Sequence, residues 1–83
     1  MMTYVTAMQG KGISRVYLDQ NGNVDIFSGG TRAARNHNPG NLRYTDFAKS
    51  YGAIGRDRDG FAIFPDSNTG KAAHQALLSQ PRD

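Results

Sequence analysis

The sequence predicts a small α+β domain with a β-hairpin, a loop-rich centre and a C-terminal helix. Three observations carry this. Two β-prone runs flank an Asn21-Gly22 reversal, turn and polar residues crowd positions 28–43, and an Ala- and Leu-bearing stretch after Asp66 has helical spacing.

Taken in order, residues 1–12 are weakly patterned, with Tyr4, Val5, Ala7 and Met8 as apolar positions, and read as an N-terminal arm or short strand. Residues 13–80 read as one α+β domain. Arg15-Val16-Tyr17-Leu18 and Val24-Asp25-Ile26-Phe27 form the hairpin arms, because Asn-Gly tolerates the positive φ that a tight reversal needs. Alternation puts Val16 and Leu18 on one face, and Val24 and Ile26 on one face of the second arm. Ser28-Gly29-Gly30-Thr31 breaks the sheet. Thr45 to Tyr51 predicts a short helix, with Thr45 as N-cap, Asp46 in the first turn, and Phe47 and Tyr51 four apart. Arg56-Asp57-Arg58-Asp59-Gly60 reads as a solvated polar turn, and Phe61-Ala62-Ile63-Phe64 as a strand stopped by Pro65. The last helix is capped by Asp66 or Ser67, carries Ala72, Ala73, Ala76, Leu77 and Leu78 as its stripe, and ends at Pro81.

Composition narrows the chemistry. A chain of 83 residues makes one thin core, since folding at this size buries only about 60% of the unfolded surface. Without cysteine there is no disulfide, and two histidines are too few for a four-ligand zinc site; a centre built from His37, His74 and an Asp fits no known spacing. No metal or cofactor is expected. The net charge of +3 favours polyanionic neighbours without selecting one. All seven acids are Asp, so any mechanism that needs Glu is excluded for this chain alone. No apolar run approaches the roughly 18 to 20 residues of a membrane span, and the start lacks a signal-peptide pattern; the expectation is a soluble chain made in the cytoplasm.

The most informative segment is Arg35-Asn36-His37-Asn38-Pro39-Gly40-Asn41-Leu42-Arg43. It places three carboxamides, an imidazole and two guanidinium groups around one Pro-Gly turn. Pro39 sets φ at the first central position and Gly40 is expected to supply positive φ at the second. The carboxamides of Asn36, Asn38 and Asn41 suit sugar hydroxyls and N-acetyl groups, and equally suit the backbone of a compact loop. Arg35 and Arg43 suit a carboxylate, a phosphate or Asp46. Asp46 follows the loop, beside Tyr44 and Phe47 as stacking surfaces, although a first-turn helix acid is the simpler account of it. His37 can act as a base near neutral pH or simply occupy a loop position.

Tyr17-Leu18-Asp19-x-Asn21-Gly22, Ser28-Gly29-Gly30-Thr31-Arg32, the Arg35-Asn36-x-Asn38-Pro39-Gly40-Asn41-Leu42-Arg43 motif, Gly52-Ala53-Ile54-Gly55 and Gly60-Phe61-Ala62-Ile63-Phe64-Pro65 stand in that order. This arrangement resembles a lysozyme-like, peptidoglycan-degrading domain of phage virion proteins and of Rhs and type VI secretion effectors, over about residues 13 to 80. The resemblance implies peptidoglycan glycan strands as partner, a larger virion or secretion protein as parent, delivery by a phage particle or secretion system, and muramidase-like cleavage. Asp46 and His37 would then be the acid/base groups, with Arg35, Asn36, Asn38, Asn41, Arg43 and Tyr44 binding substrate. His37 stands where relatives carry Asn, and the chain stops at Asp83 where they continue. With no Glu for the general acid, a shortened or inactive form is part of the expectation. Two other classes stay open: a small phage- or mobile-element-encoded interaction or inhibitor protein, and single-stranded nucleic-acid binding through Arg32, Arg35, Arg43 and Tyr44.

Overall fold

A computed structural model describes residues 3–80. It is an α+β structure: a three-stranded antiparallel sheet, a small two-stranded sheet and a C-terminal helix. The strands β1 (Tyr4–Gln9), β2 (Arg15–Asp19) and β3 (Val24–Phe27) pair in that order, with an irregularity between Tyr4 and Thr6. The β2–β3 reversal is built on Asp19, whose carboxylate accepts from the Asn21 and Asn23 backbone N–H groups at 2.8 and 2.9 Å and from Asn23 Nδ2 at 3.0 Å. Gly22, at φ +82°, completes it. The Asn23 side chain and these N–H groups hold the Asp19 carboxyl below its ordinary pKa.

Register places Val16 opposite Ile26 and Leu18 opposite Val24, so the four apolar residues share a face. The buried face is the other one. Arg15, Tyr17 and Asp19 point inward, while Val24 and Ile26 remain more than half exposed.

Beyond the sheet, α1 (Arg32–Arg35) begins at Thr31, whose Oγ1 accepts from the Ala34 N–H. This turn of helix lies where the sequence suggests only a break. Then follow α2 (Asp46–Ser50), capped by Thr45, and the pair β4 (Gly55–Arg56) and β5 (Ala62–Ile63). The chain closes with α3 (Ser67–Leu78), capped by Asp66, whose carboxylate accepts from the Thr69 N–H at 2.7 Å. Pro81, the expected stop, lies outside the described residues.

Strand alternation makes the segment around β5 the partition between two small cores. Ala62 and Phe64 face Leu42, Ala48 and Ala73, with Tyr44, Phe47 and Ala53 at the margin. Ile63 faces Ala7 and Tyr17, flanked by Tyr4 and Ile54. The expected α3 stripe is only partly used: Gly70 and Ala73 are buried, whereas Leu77 and Leu78 are exposed. Small residues face the core because α3 lies directly on the central loop. A β-carbon on Gly70 would overlap the His37 carbonyl, and one on Gly40 would overlap the His74 ring.

Candidate functional site

The central loop is tied from beneath before any ligand is considered. Asn38, fully buried, donates through Nδ2 to the carbonyls of Leu42 (3.0 Å) and Ala62 (2.9 Å), and its Oδ1 accepts from the Leu42 N–H at 3.0 Å. The Asn41 N–H closes the turn onto the Asn38 carbonyl at 3.0 Å. Gly40 does not supply a positive φ; the left-handed residues are His37 (φ +49°) and Asn41 (φ +47°). Glycine is required at position 40 by contact, since the His74 ring fills the space a side chain would need.

Asn36 is also fully buried and belongs to a polar triad. Arg15 Nε donates to its Oδ1 at 2.6 Å, its Nδ2 donates to Asp57 Oδ2 at 3.0 Å, and Arg15 Nη2 reaches the same carboxylate oxygen at 3.3 Å. Asp57 Oδ1 accepts from the N–H groups of Asp59 and Phe61, both at 2.9 Å. Burial by itself would raise the Asp57 carboxyl. The Asn36 amide, those two N–H groups and the Arg15 guanidinium outweigh it, and the pKa lies below the ordinary carboxylate value. The segment expected to be a solvated turn therefore holds a buried ion pair, with Asp57 only 2% exposed.

These bonds commit the buried carboxamides of Asn36 and Asn38, both expected to bind substrate, to the framework of the loop. The other expected site residues separate onto different surfaces. His37 is half-buried against the rings of Tyr17 and Phe27, and its Nδ1 donates to the Phe64 carbonyl at 3.1 Å. That bond places the neutral ring's lone pair on Nε2. Its surface is a depression of about 190 Å³ shared with Ala33, Pro39 and Lys71. Asp46 is fully exposed, with Lys49 Nζ at 3.8 Å from its carboxylate. Tyr44 is half-buried against the helix-side core, with Lys49 Nζ 5.0 Å from its ring centre.

Asn41 and Arg43 do share a surface. Together with Leu42, Thr45, Phe47 and Leu77 they line a groove of about 430 Å³ between the loop, α2 and the end of α3. The exposed Asn41 carboxamide stands on one side of an apolar wall, and the Arg43 guanidinium is steadied by the Asp59 carbonyl at 2.8 Å and by the Phe61 ring. No family model, curated protein or solved structure matches this chain.

Arg35 lies in another depression, which shares no lining residue with that groove. It lines a cleft of about 150 Å³ with Arg15, Arg32, Arg58 and Asp59, and its Nε is buried without a partner. Sequence reading missed Arg15, Asp57, Gly70 and His74 as determinants of the loop. Alternation of Arg15 with Tyr17 and Asp19 was a usable signal for the first, and an Asp three residues before Gly60 for an Asp57-centred turn. Nothing local marks Gly70 or His74. Among the described residues, no group of three or more His, Asp, Glu or Cys is arranged to hold a metal ion, and no helix is long and apolar enough to cross a membrane.

Proposed function

We propose that this chain is a peptidoglycan-directed recognition module that takes glycan strands in the groove beside Asn41 and Arg43. The observation that carries the reading is the composition of that groove. Phe47 and Leu77 offer apolar surface for the face of a sugar ring, while the polar side chains of Asn41 and Arg43 stand at its edge. A pyranose bearing an N-acetyl group presents the same mixture of apolar face and polar rim. Binding is favoured over cleavage because Asp57 is engaged in a buried ion pair with Arg15 and, among the described residues, no carboxylate lines the groove.

The test is sedimentation of the purified chain with peptidoglycan sacculi, followed by analysis of the supernatant for muropeptides. Co-sedimentation without released fragments is expected. Asn41→Gly suits the positive φ of that position and removes the amide from the groove, so it should stay folded and bind less. A chain that remains in the supernatant, or binds equally well as Asn41→Gly, defeats the reading.

A further inference from the structure

We infer that the arginine-lined cleft beside Arg35 binds a dianionic tetrahedral oxyanion, of the phosphomonoester or free phosphate class. Four arginines, Arg15, Arg32, Arg35 and Arg58, line it, and Gln9 and Asp59 complete its polar wall. Two of the four are committed to the fold in different ways. Arg15 is fully engaged with Asn36, Asp57 and the Ile13 carbonyl, and Arg32 divides itself between Asp59 (3.2 Å), Asp57 (3.8 Å) and the Phe61 ring.

Arg35 and Arg58 are the groups with capacity to spare. Arg35 uses Nη1 on the Gly30 carbonyl and leaves Nε buried and unpartnered; Arg58 uses Nη2 on the Gly12 carbonyl. A buried donor without an acceptor is unfavourable, and the Arg35 side chain that carries it belongs to the wall of the cleft. The charges decide the class. Against the four guanidinium groups stand the carboxylates of Asp57 and Asp59, leaving a surplus of two positive charges. A carboxylate ligand carries one charge and is satisfied by a single guanidinium fork. A phosphoryl group carries up to two and spreads them over three or four oxygens, which matches donors arriving from several arginines. This cleft is separate from the glycan groove and does not depend on that reading.

The experiment is a titration of the full chain, isotopically labelled, with inorganic phosphate at constant ionic strength near pH 7.5, followed by NMR of the backbone amides and arginine Nε–H groups. Saturable shifts are expected at Arg35, Arg58 and Gly12. Arg58→Gln, a change at an exposed residue whose folding is checked by the dispersion of its own spectrum, should weaken binding about tenfold or more through loss of a charge-assisted contact. Asn41→Gly should leave phosphate binding unchanged, so the two sites fail or succeed separately. Glucose 6-phosphate binding more tightly than phosphate supports an organic phosphomonoester, and equal binding supports free phosphate. Absence of saturable shifts with both, equal binding of acetate or dimethyl phosphate, or indifference to Arg58→Gln overturns the inference.

Discussion

Asn36 Nδ2 and Asp57 Oδ2 meet at 3.0 Å across a sequence separation of 21 residues, in a space closed to solvent. Arg15 binds both, so β2, the central loop and the turn before β5 share one polar knot. Removing a single member strands the others without water. Asp57→Ala is expected to cost about 3–5 kcal/mol, the range for breaking a buried ion pair, a large share of the stability of a domain this small. Urea denaturation followed by circular dichroism measures it. A loss below about 1 kcal/mol, typical of an exposed pair, would show that the knot contributes little.

The same carboxylate sets a pH dependence, together with Asp66, whose charge is held by the Thr69 N–H at the start of α3 and whose pKa is also lowered. A carboxyl with a lower pKa folded than unfolded releases its proton more readily in the folded chain. Its stabilisation is therefore full above the unfolded value of about 4 and disappears as pH falls through the folded value. The contribution of these two carboxylates should be constant from neutral pH down to about 5 and fall below about 4. Asp66→Asn should flatten part of that fall, as read from melting temperatures across the acid range.

Gly40 and His74 make a reciprocal test of the loop–helix contact. Gly40→Ala should destabilise by about 1–3 kcal/mol through overpacking against the imidazole. In the Gly40→Ala, His74→Ala double variant the added methyl has room, so the penalty should shrink. A double-mutant cycle by chemical denaturation reads this coupling, and strict additivity would mean that the ring does not hold Gly40.

Asn38 and Asn41 should behave as opposites despite their shared chemistry and near-adjacent positions. Asn38→Ala abandons two buried carbonyls and one N–H, an expected loss of about 2–3 kcal/mol. Asn41→Gly relieves a left-handed backbone and should hold or raise the melting temperature by an amount equivalent to about 0.5–1 kcal/mol. If both variants unfold alike, Asn41 also belongs to the framework.

Much of the fold was legible. Asn21-Gly22 marked the hairpin, while Thr45 and Asp66 marked two helix starts, because reversals and caps are local chemistry written within four residues. The site was less so. Asn36, Asn38 and Asn41 look equivalent in sequence, and only burial divides them into two framework groups and one at a groove. Arg15 and Asp57 resemble surface residues until they meet across 42 positions. Gly70 reads as an ordinary weakness in a helix, yet its bare α-carbon is what lets α3 lie against the His37 carbonyl.

Asn38 has a wider consequence. Its carboxamide gives two carbonyls a donor and one N–H an acceptor, so it functions as a surrogate peptide group inserted between Leu42 and Ala62. Asp offers no donor in its ionised form, Ser lacks the planar pair of donor and acceptor, and Gln carries the pair one carbon too far. The fold alone thus requires asparagine here, whatever the chain binds. The Asn of this Asn-Pro-Gly-Asn turn is therefore a mark of architecture, and what the chain binds has to be judged from the residues that border the groove.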